Sequence, residues 1–219
     1  MPKFNLKHAV YALPVLALAA VAPNAFPAAQ AGFDSLHHLA LTYILPAAAL
    51  LIILTILYQV RGFAGLARAV AFGAAAGALA TLALEVVRYP GFRLGFMPGN
   101  LPELMGVLLL DRFALGPSTA STLAGYAYHF WNGANFGIIF AVLAEVGVLR
   151  RSTLWATAYG VLTGFGFLAS PVVKSLGGGL FGLEFGTPFL LTVTLAHVAF
   201  GAAYGVLLKF LYAWSRPKR

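Results

Sequence analysis

Long apolar stretches, broken by small residues more often than by charges, make up most of this chain. A transmembrane helix needs about 20 apolar residues. The pattern predicts five such helices, over 39–60, 67–89, 121–149, 153–173 and 187–213. A further apolar run over 9–22 follows the basic residues Lys3 and Lys7 and makes a sixth candidate.

The N-terminal segment 1–31 is open to two interpretations. Ala29-Gln30-Ala31 resembles a signal-peptidase site, so the segment is either a cleaved signal peptide or a first membrane span that is kept. We favour the retained span, which makes six transmembrane helices. If it is cleaved, the other five keep the same orientation.

A frame of two glycines four residues apart recurs along the apolar stretches. It occurs over 69–77, 129–137, 156–164 and 197–205. The first and last of these segments agree at seven of nine positions, and the first position of the frame alternates Ala, His, Ala, His. Residues four apart share a helix face, and small residues there let helices approach closely in lipid. The spacing predicts two repeated hairpins, 67–149 and 153–213, related by a pseudo-two-fold axis along the membrane normal.

The stretch after the third predicted span is rich in Pro and Gly, which should end that helix at residue 89. Asn100 is the expected N-cap of a short helix over 101–113, with Glu103 at the capping-box position. At roughly 20 Å this helix is too short to cross a bilayer. We expect it to lie in the interface or to re-enter the bundle as an external lid. Thr187-Pro188 should begin the last span.

Composition supports one all-α integral membrane domain over 1–219. The chain is 61% hydrophobic and 9% charged, with a mean hydropathy of +0.87, whereas soluble domains average about 25% charged residues. There is no cysteine, which excludes disulfides, thiolate metal sites and iron–sulfur clusters. The expected partner is therefore the lipid bilayer, and the net charge of +8 is not read as a nucleic-acid footprint.

The basic residues sort into two groups by helix end. Ten fall at one set of ends: Lys3, Lys7, Arg61, Arg68, Arg150, Arg151, Lys209, Arg216, Lys218 and Arg219. Four fall at the other: Arg88, Arg93, Arg112 and Lys174. The positive-inside rule then places both termini in the cytoplasm. We expect a protein of the cytoplasmic (inner) membrane.

Two of the glycine segments begin with a histidine, and the two histidines are predicted to lie at a comparable depth in the membrane. His129 and His197 occupy the same repeat position, and an ionisable residue inside a span is a functional candidate. Glu85 and Arg88 continue the glycine face of the third span, and Asn132 shares the face of His129. These residues form the candidate ligand site. The histidines could instead act as interhelical hydrogen-bonding residues, and Glu85 and Arg88 could form an ion pair that neutralises itself.

A metal or haem is one occupant to consider for this site. His129, His197 and Glu85 are ligands suited to zinc, iron or manganese, and two histidines beside glycines could hold haem b. No His-Glu-x-x-His or Glu-x-x-His pattern ties them together. The cofactor stays open at this point.

The alternation of a Gly-Ala-rich helix with a His-x-x-x-Gly helix resembles a loose group of small bacterial membrane proteins of unknown function. The resemblance is carried by residues 73–84, 128–140 and 197–207. It implies a small polytopic fold and no particular activity.

Four functions stay open from the sequence. The first is a binding or cofactor-carrying subunit with an outward-facing polar pocket. The others are a small-solute or proton transporter or channel, a structural subunit of a larger membrane complex, and an enzyme with an oxygen-activating metal centre. The inner halves of the spans are nearly all apolar, so a closed-bottomed pocket fits better than a path. Homo-oligomerisation is equally open.

Overall fold

The computed structural model describes residues 6–215, and these are helical with no strand among them. The helices are α1 (Leu6–Gln30), α2 (Leu36–Leu39), α3 (Leu45–Val60), α4 (Ala64–Arg93), α5 (Leu101–Leu109), α6 (Thr119–Glu145), α7 (Thr153–Leu168), α8 (Pro171–Ser175) and α9 (Gly186–Trp214). A π-helical turn, Ala40–Ile44, joins α2 to α3, and a 3-10 segment, Leu180–Phe185, precedes α9. The prediction of an all-α fold is confirmed.

Five helical stretches in the described part are long and apolar enough to cross a membrane. They are His8–Gln30, Leu36–Val60, Ala64–Arg93, Thr153–Ser175 and Leu180–Trp214. Helix α6 has 27 residues but is not among them, because polar residues such as His129, Asn132 and Asn135 lower its hydropathy. The membrane class is thus supported, and the count of six spans stays a prediction that depends on α6.

Helix α4 extends further than the sequence predicts. It continues through Pro90 and Gly91 to Arg93, so the expected end at residue 89 is wrong. Gly91 is buried, and a Cβ atom there would collide with the side chain of Thr192 on α9. Close packing against α9 therefore stabilises a last turn that local propensity disfavours.

Helix α5 lies in the position predicted for the short helix but ends four residues earlier than 113. Asn100 occupies its N-cap position without capping it, since no side-chain cap hydrogen bond forms. Gly106 packs directly on the backbone of α6, where a Cβ atom would collide with the carbonyl oxygen of Ser121. Pro102 and Met105 are buried with it. The helix is thus seated in the bundle.

The start of the last helix also differs from the sequence prediction. Phe185 is the N-cap of α9 and Gly186 is its first residue, so Thr187 lies inside the helix and does not cap it. The 3-10 segment immediately before it ends at Phe185, and Gly186 takes a positive φ of 79°. The N-cap therefore lies two residues earlier than the Thr-Pro pair indicates.

Glycines bring α4 and α6 into backbone contact. A Cβ atom added at Gly73 would lie 2.7 Å from the carbonyl oxygen of Gly137, and one added at Gly77 would collide with that of Gly133. Only residues without a side chain fit at such a crossing. The glycine stripe therefore acts as a packing surface, and it fixes how far α6 can approach α4.

Glycines also join α7 to α9, with a different register. A Cβ atom at Gly160 would lie 2.9 Å from the Cα of Gly201, and one at Gly164 would lie 2.7 Å from Cγ of His197. The second glycine of α7 thus faces the histidine position of α9, whereas the second glycine of α4 faces the first glycine of α6. The register in which the paired helices contact each other therefore differs between the two hairpins by about one helical turn. The pseudo-two-fold relation between 67–149 and 153–213 stays a prediction.

The N-terminal helix packs as part of the bundle. Tyr128 on α6 donates a hydrogen bond to the carbonyl oxygen of Ala22 at 2.6 Å, and Ser175 donates to the Gln30 side chain at 2.7 Å. These contacts favour the interpretation of 1–31 as a retained span, which stays a prediction. Four of the basic residues lie outside the described residues: Lys3, Arg216, Lys218 and Arg219.

The bundle has two ends that differ in their loops. We call the end formed by residues 31–35, 94–118 and 169–185 the long-loop end, and the end formed by 61–63 and 146–152 the short-loop end. At the long-loop end, Asp34 accepts hydrogen bonds from the His38 ring and from the Ser35 backbone N–H. These bonds, the His38 bond first, lower the pKa of Asp34 below its usual range.

Candidate functional site

A cavity of about 470 Å³ lies in the half of the bundle near the long-loop end. Helices α1, α4, α5, α6, α7, α8 and α9 contribute to its walls. Most of the lining is apolar, with Phe136, Phe167 and Phe200 among the largest side chains. His129 and His197, on different helices, both line it. The structure therefore brings the two predicted histidines to one space.

Glu85 connects the predicted polar residues on α4 and α6. Its Oε1 accepts hydrogen bonds from Arg88 Nε at 2.6 Å and from His129 Nε2 at 2.9 Å, and its Oε2 accepts from Arg88 Nη2 at 2.6 Å. Since a carboxylate only accepts, the His129 proton in this pair lies on Nε2. Glu85 does not line the cavity itself. It orients two residues that do, Arg88 and His129.

The Arg88 guanidinium is buried and fixed on several sides. The exposed fraction of the residue is 5%. Besides Glu85, its Nη2 contacts Asn100 Oδ1 at 3.0 Å and the Tyr126 hydroxyl at 3.4 Å. This explains why Asn100 does not cap α5: its side-chain oxygen accepts from Arg88 instead. The remaining nitrogen, Nη1, is buried and has no hydrogen-bond partner within residues 6–215.

The His197 ring is held by its own helix and by α7. Its Nδ1 lies 2.8 Å from the Val193 carbonyl oxygen, which only accepts, so the proton lies on Nδ1 and Nε2 is left with a lone pair. The ring packs directly on Gly164, and the Phe167 ring stacks nearby with centroids 6.2 Å apart. The imidazole is therefore positioned as a hydrogen-bond acceptor.

Three polar atoms of cavity-lining residues are buried without a partner in the described part of the chain. They are Arg88 Nη1, Asn132 Oδ1 and Ser170 Oγ. A buried polar group left unpaired costs about 1–3 kcal/mol. All three residues line one cavity, from α4, α6 and the residue before α8, so a molecule bound there lies close to polar groups that lack a hydrogen-bond partner.

The predicted metal site finds no support in this geometry. In the described residues, no group of three or more His, Asp or Glu side chains is arranged to hold a metal ion. Of the three predicted ligands, Glu85 and His129 bond to each other, and His197 lies on another wall of the cavity without a carboxylate partner.

The sequence predicts five residues of this site but not all of them. Three residues that line the cavity are not distinguished by any pattern in the sequence: Ser170, Thr163 and Phe167. Ser170-Pro171 has the pattern of a helix start, which predicts α8. Nothing local indicates that α8 turns back into the bundle beside α1, so the cavity position of Ser170 is a tertiary effect.

Three packed aromatic rings lie on the side of the cavity that faces the short-loop end. Tyr204 is fully buried and donates a hydrogen bond to the Gly137 carbonyl oxygen at 2.7 Å. Its ring contacts Phe200, which lines the cavity, at 6.1 Å between centroids. On the other side it contacts Phe140 at 5.4 Å. The cavity is thus bounded below by packed aromatic side chains.

Comparison with protein-family models, with curated proteins and with solved structures gives no match. The resemblance to small bacterial membrane proteins with alternating Gly-rich and His-x-x-x-Gly helices stays a prediction.

Proposed function

We propose that this protein is a polytopic membrane protein that binds a small organic molecule in the cavity between His129 and His197. The observation that carries the proposal is a cavity of about 470 Å³ whose lining includes both histidines and three residues that each have a buried, unpartnered polar atom. Ligand pockets are typically of this size, mostly apolar, with a few placed polar groups.

The polar atoms define the kind of ligand. Arg88 Nη1 donates, so it requires an acceptor on the ligand. Asn132 Oδ1 and His197 Nε2 accept, so they require a donor. Because Glu85 already neutralises Arg88, the pocket does not call for a full negative charge. The ligand that fits is a neutral molecule with an apolar body and a head group that both donates and accepts hydrogen bonds.

The proposed membrane placement follows the basic residues. Arg61, Arg150 and Arg151 belong to the short-loop end, which the positive-inside rule assigns to the cytoplasm. The pocket then opens toward the outside of the cytoplasmic membrane. Transport is less well supported, since the packed rings around Tyr204 close the pocket below. A metal or haem occupant, a structural subunit and an enzyme stay predictions.

Two asparagines of α6 offer a matched test. Asn132 and Asn135 are both buried with an unpartnered Oδ1, but Asn132 lines the cavity and Asn135 does not. Native mass spectrometry of the purified protein should detect a bound small molecule in the wild type and in Asn135→Leu, and little of it in Asn132→Leu. Metal analysis and an absorption spectrum of the same samples test the metal and haem alternatives.

A wild-type protein that carries no small molecule after mild detergent extraction would contradict the proposal. So would equal occupancy in the two variants, because the ligand would then lie elsewhere.

A further inference from the structure

A second cavity, of about 450 Å³, lies at the short-loop end. It is lined by residues of α4, α6 and α9 and of the turn before α7. Phe140 lies between this cavity and the first one. Among the described lining residues, Arg68, Arg151 and Lys209 are cationic and Glu145 is anionic. The cavity therefore carries an excess of positive charge.

The guanidinium of Arg151 is fixed at the wall of this cavity. One of its terminal nitrogens, Nη2, contacts the Glu145 carboxylate, and its central carbon lies 4.2 Å from the centroid of the Tyr212 ring. These contacts use the terminal nitrogen and the face of the guanidinium. They leave Nε in a defined position.

Two residues that line this cavity each have a buried donor that lacks an acceptor. Arg151 Nε and the Tyr212 hydroxyl have no hydrogen-bond partner in the described structure, and both residues line the cavity. Arginine Nε only donates, and a tyrosine hydroxyl donates readily to an anionic oxygen. A group that offers two acceptor oxygens and a negative charge would satisfy both atoms and offset the charge excess.

We propose that this cavity binds a phosphate group. A phosphate has several strong acceptor oxygens, and arginine and lysine are its usual partners. Arg68 and Lys209 are exposed at the rim, so they attract the anion, while Arg151 and Tyr212 bind it within. Ser152, the N-cap of the 16-residue helix α7, also lines the cavity. The N-terminus of that helix adds partial positive charge.

Two sources can supply this chemistry, the headgroup of an anionic phospholipid and free phosphate. The cavity lies at the ends of apolar helices, where lipid headgroups lie if those helices span the membrane. Anionic lipids are attracted to basic residues at that level. The site is independent of the first cavity and of what occupies it.

Ligand-dependent thermal stability of the full-length protein in detergent tests the site. We expect dioctanoyl-phosphatidylglycerol, inorganic phosphate or both to raise the melting temperature of the wild type, because a ligand that binds only the folded state stabilises it. Lys209→Gln and Tyr212→Phe should each weaken the apparent affinity by about tenfold. Arg150→Gln, which removes a neighbouring exposed charge outside the cavity, should leave it unchanged.

The pattern of ligands identifies the source. Stabilisation by phosphatidylglycerol alone assigns the site to a lipid headgroup, and equal stabilisation by inorganic phosphate assigns it to the free anion. Three results would overturn the proposal: no effect of either ligand, an equal effect of dioctanoyl-phosphatidylcholine, or an equal loss in Arg150→Gln and Lys209→Gln. Tyr212→Phe removes only a hydroxyl group, so it keeps the test valid if the charge variant unfolds.

Discussion

Charge and hydrogen bonding around Glu85 explain how polar side chains are accommodated inside an apolar bundle. Glu85 and Arg88 have side-chain exposures of 13% and 6%, and they form a bidentate ion pair. His129 donates a further hydrogen bond to the Glu85 carboxylate. A buried pair contributes little net stability, but removing one partner leaves the other charge uncompensated. The pair therefore acts mainly to position Arg88 and His129 at the cavity.

The substitution Glu85→Gln tests this role. It should destabilise the protein by about 3–5 kcal/mol, because the Arg88 charge stays buried without its carboxylate. The double variant Glu85→Gln/Arg88→Met should recover most of that loss. Unfolding of both variants in the same detergent measures the difference, and a double variant less stable than Glu85→Gln would contradict the account.

A residue of the candidate site could be predicted from the sequence only if its side chain is unusual for a membrane span. His129, His197, Glu85, Arg88 and Asn132 stand out because ionisable and amide groups are costly there. Their approximate grouping follows from helix periodicity. The roles of Asn100 and Ser170 were not predictable, since both depend on how short helices fold back onto the bundle.

Glycine contacts set the positions of the helices that carry the site. Gly77 against Gly133 fixes α6 on α4, and Gly164 against the His197 ring fixes α9 on α7. The sequence predicted such stripes from their spacing. It did not predict the one-turn offset between the hairpins, because the same motif packs equally well in registers that differ by four residues.

Two glycines of α7 separate the effect of packing from that of helix propensity. A Cβ atom at Gly164 would lie 2.7 Å from His197 Cγ, whereas one at Gly166 would meet no atom within 4 Å. Gly164→Ala should cost about 1–3 kcal/mol by overpacking and displace the His197 ring. Gly166→Ala should stabilise the helix by about 0.5–1 kcal/mol. Comparison of the two unfolding free energies checks this, and equal effects would argue against the contact.

The arrangement of the whole molecule separates two cavities of different character. The first is mostly apolar with unpartnered polar atoms, and the second is basic. Tyr204, with Phe140 and Phe200 on either side, lies between them. The apolar inner halves of the spans predict a closed-bottomed pocket, but the cluster of three aromatic rings comes from residues that tertiary packing brings together.

The distribution of basic residues predicts how the whole molecule is oriented in the membrane. A reporter fused after Arg151 should be cytoplasmic, and one fused within the 94–118 segment should be external, because positive residues concentrate at the short-loop end. Paired reporters, one active inside the cell and one outside, measure this. An external position for Arg151 together with a cytoplasmic 94–118 segment would reverse the assignment, whereas both reporters on the same side would argue against counting α6 as a span.

Experimental density for the purified protein in lipid nanodiscs would show whether the first cavity holds a ligand. We expect an ordered non-protein feature there, within hydrogen-bonding distance of Arg88 Nη1 and Asn132 Oδ1 and lying between His129 and His197. A cavity that is empty, or collapsed so that these polar atoms pair with other protein groups, would contradict it.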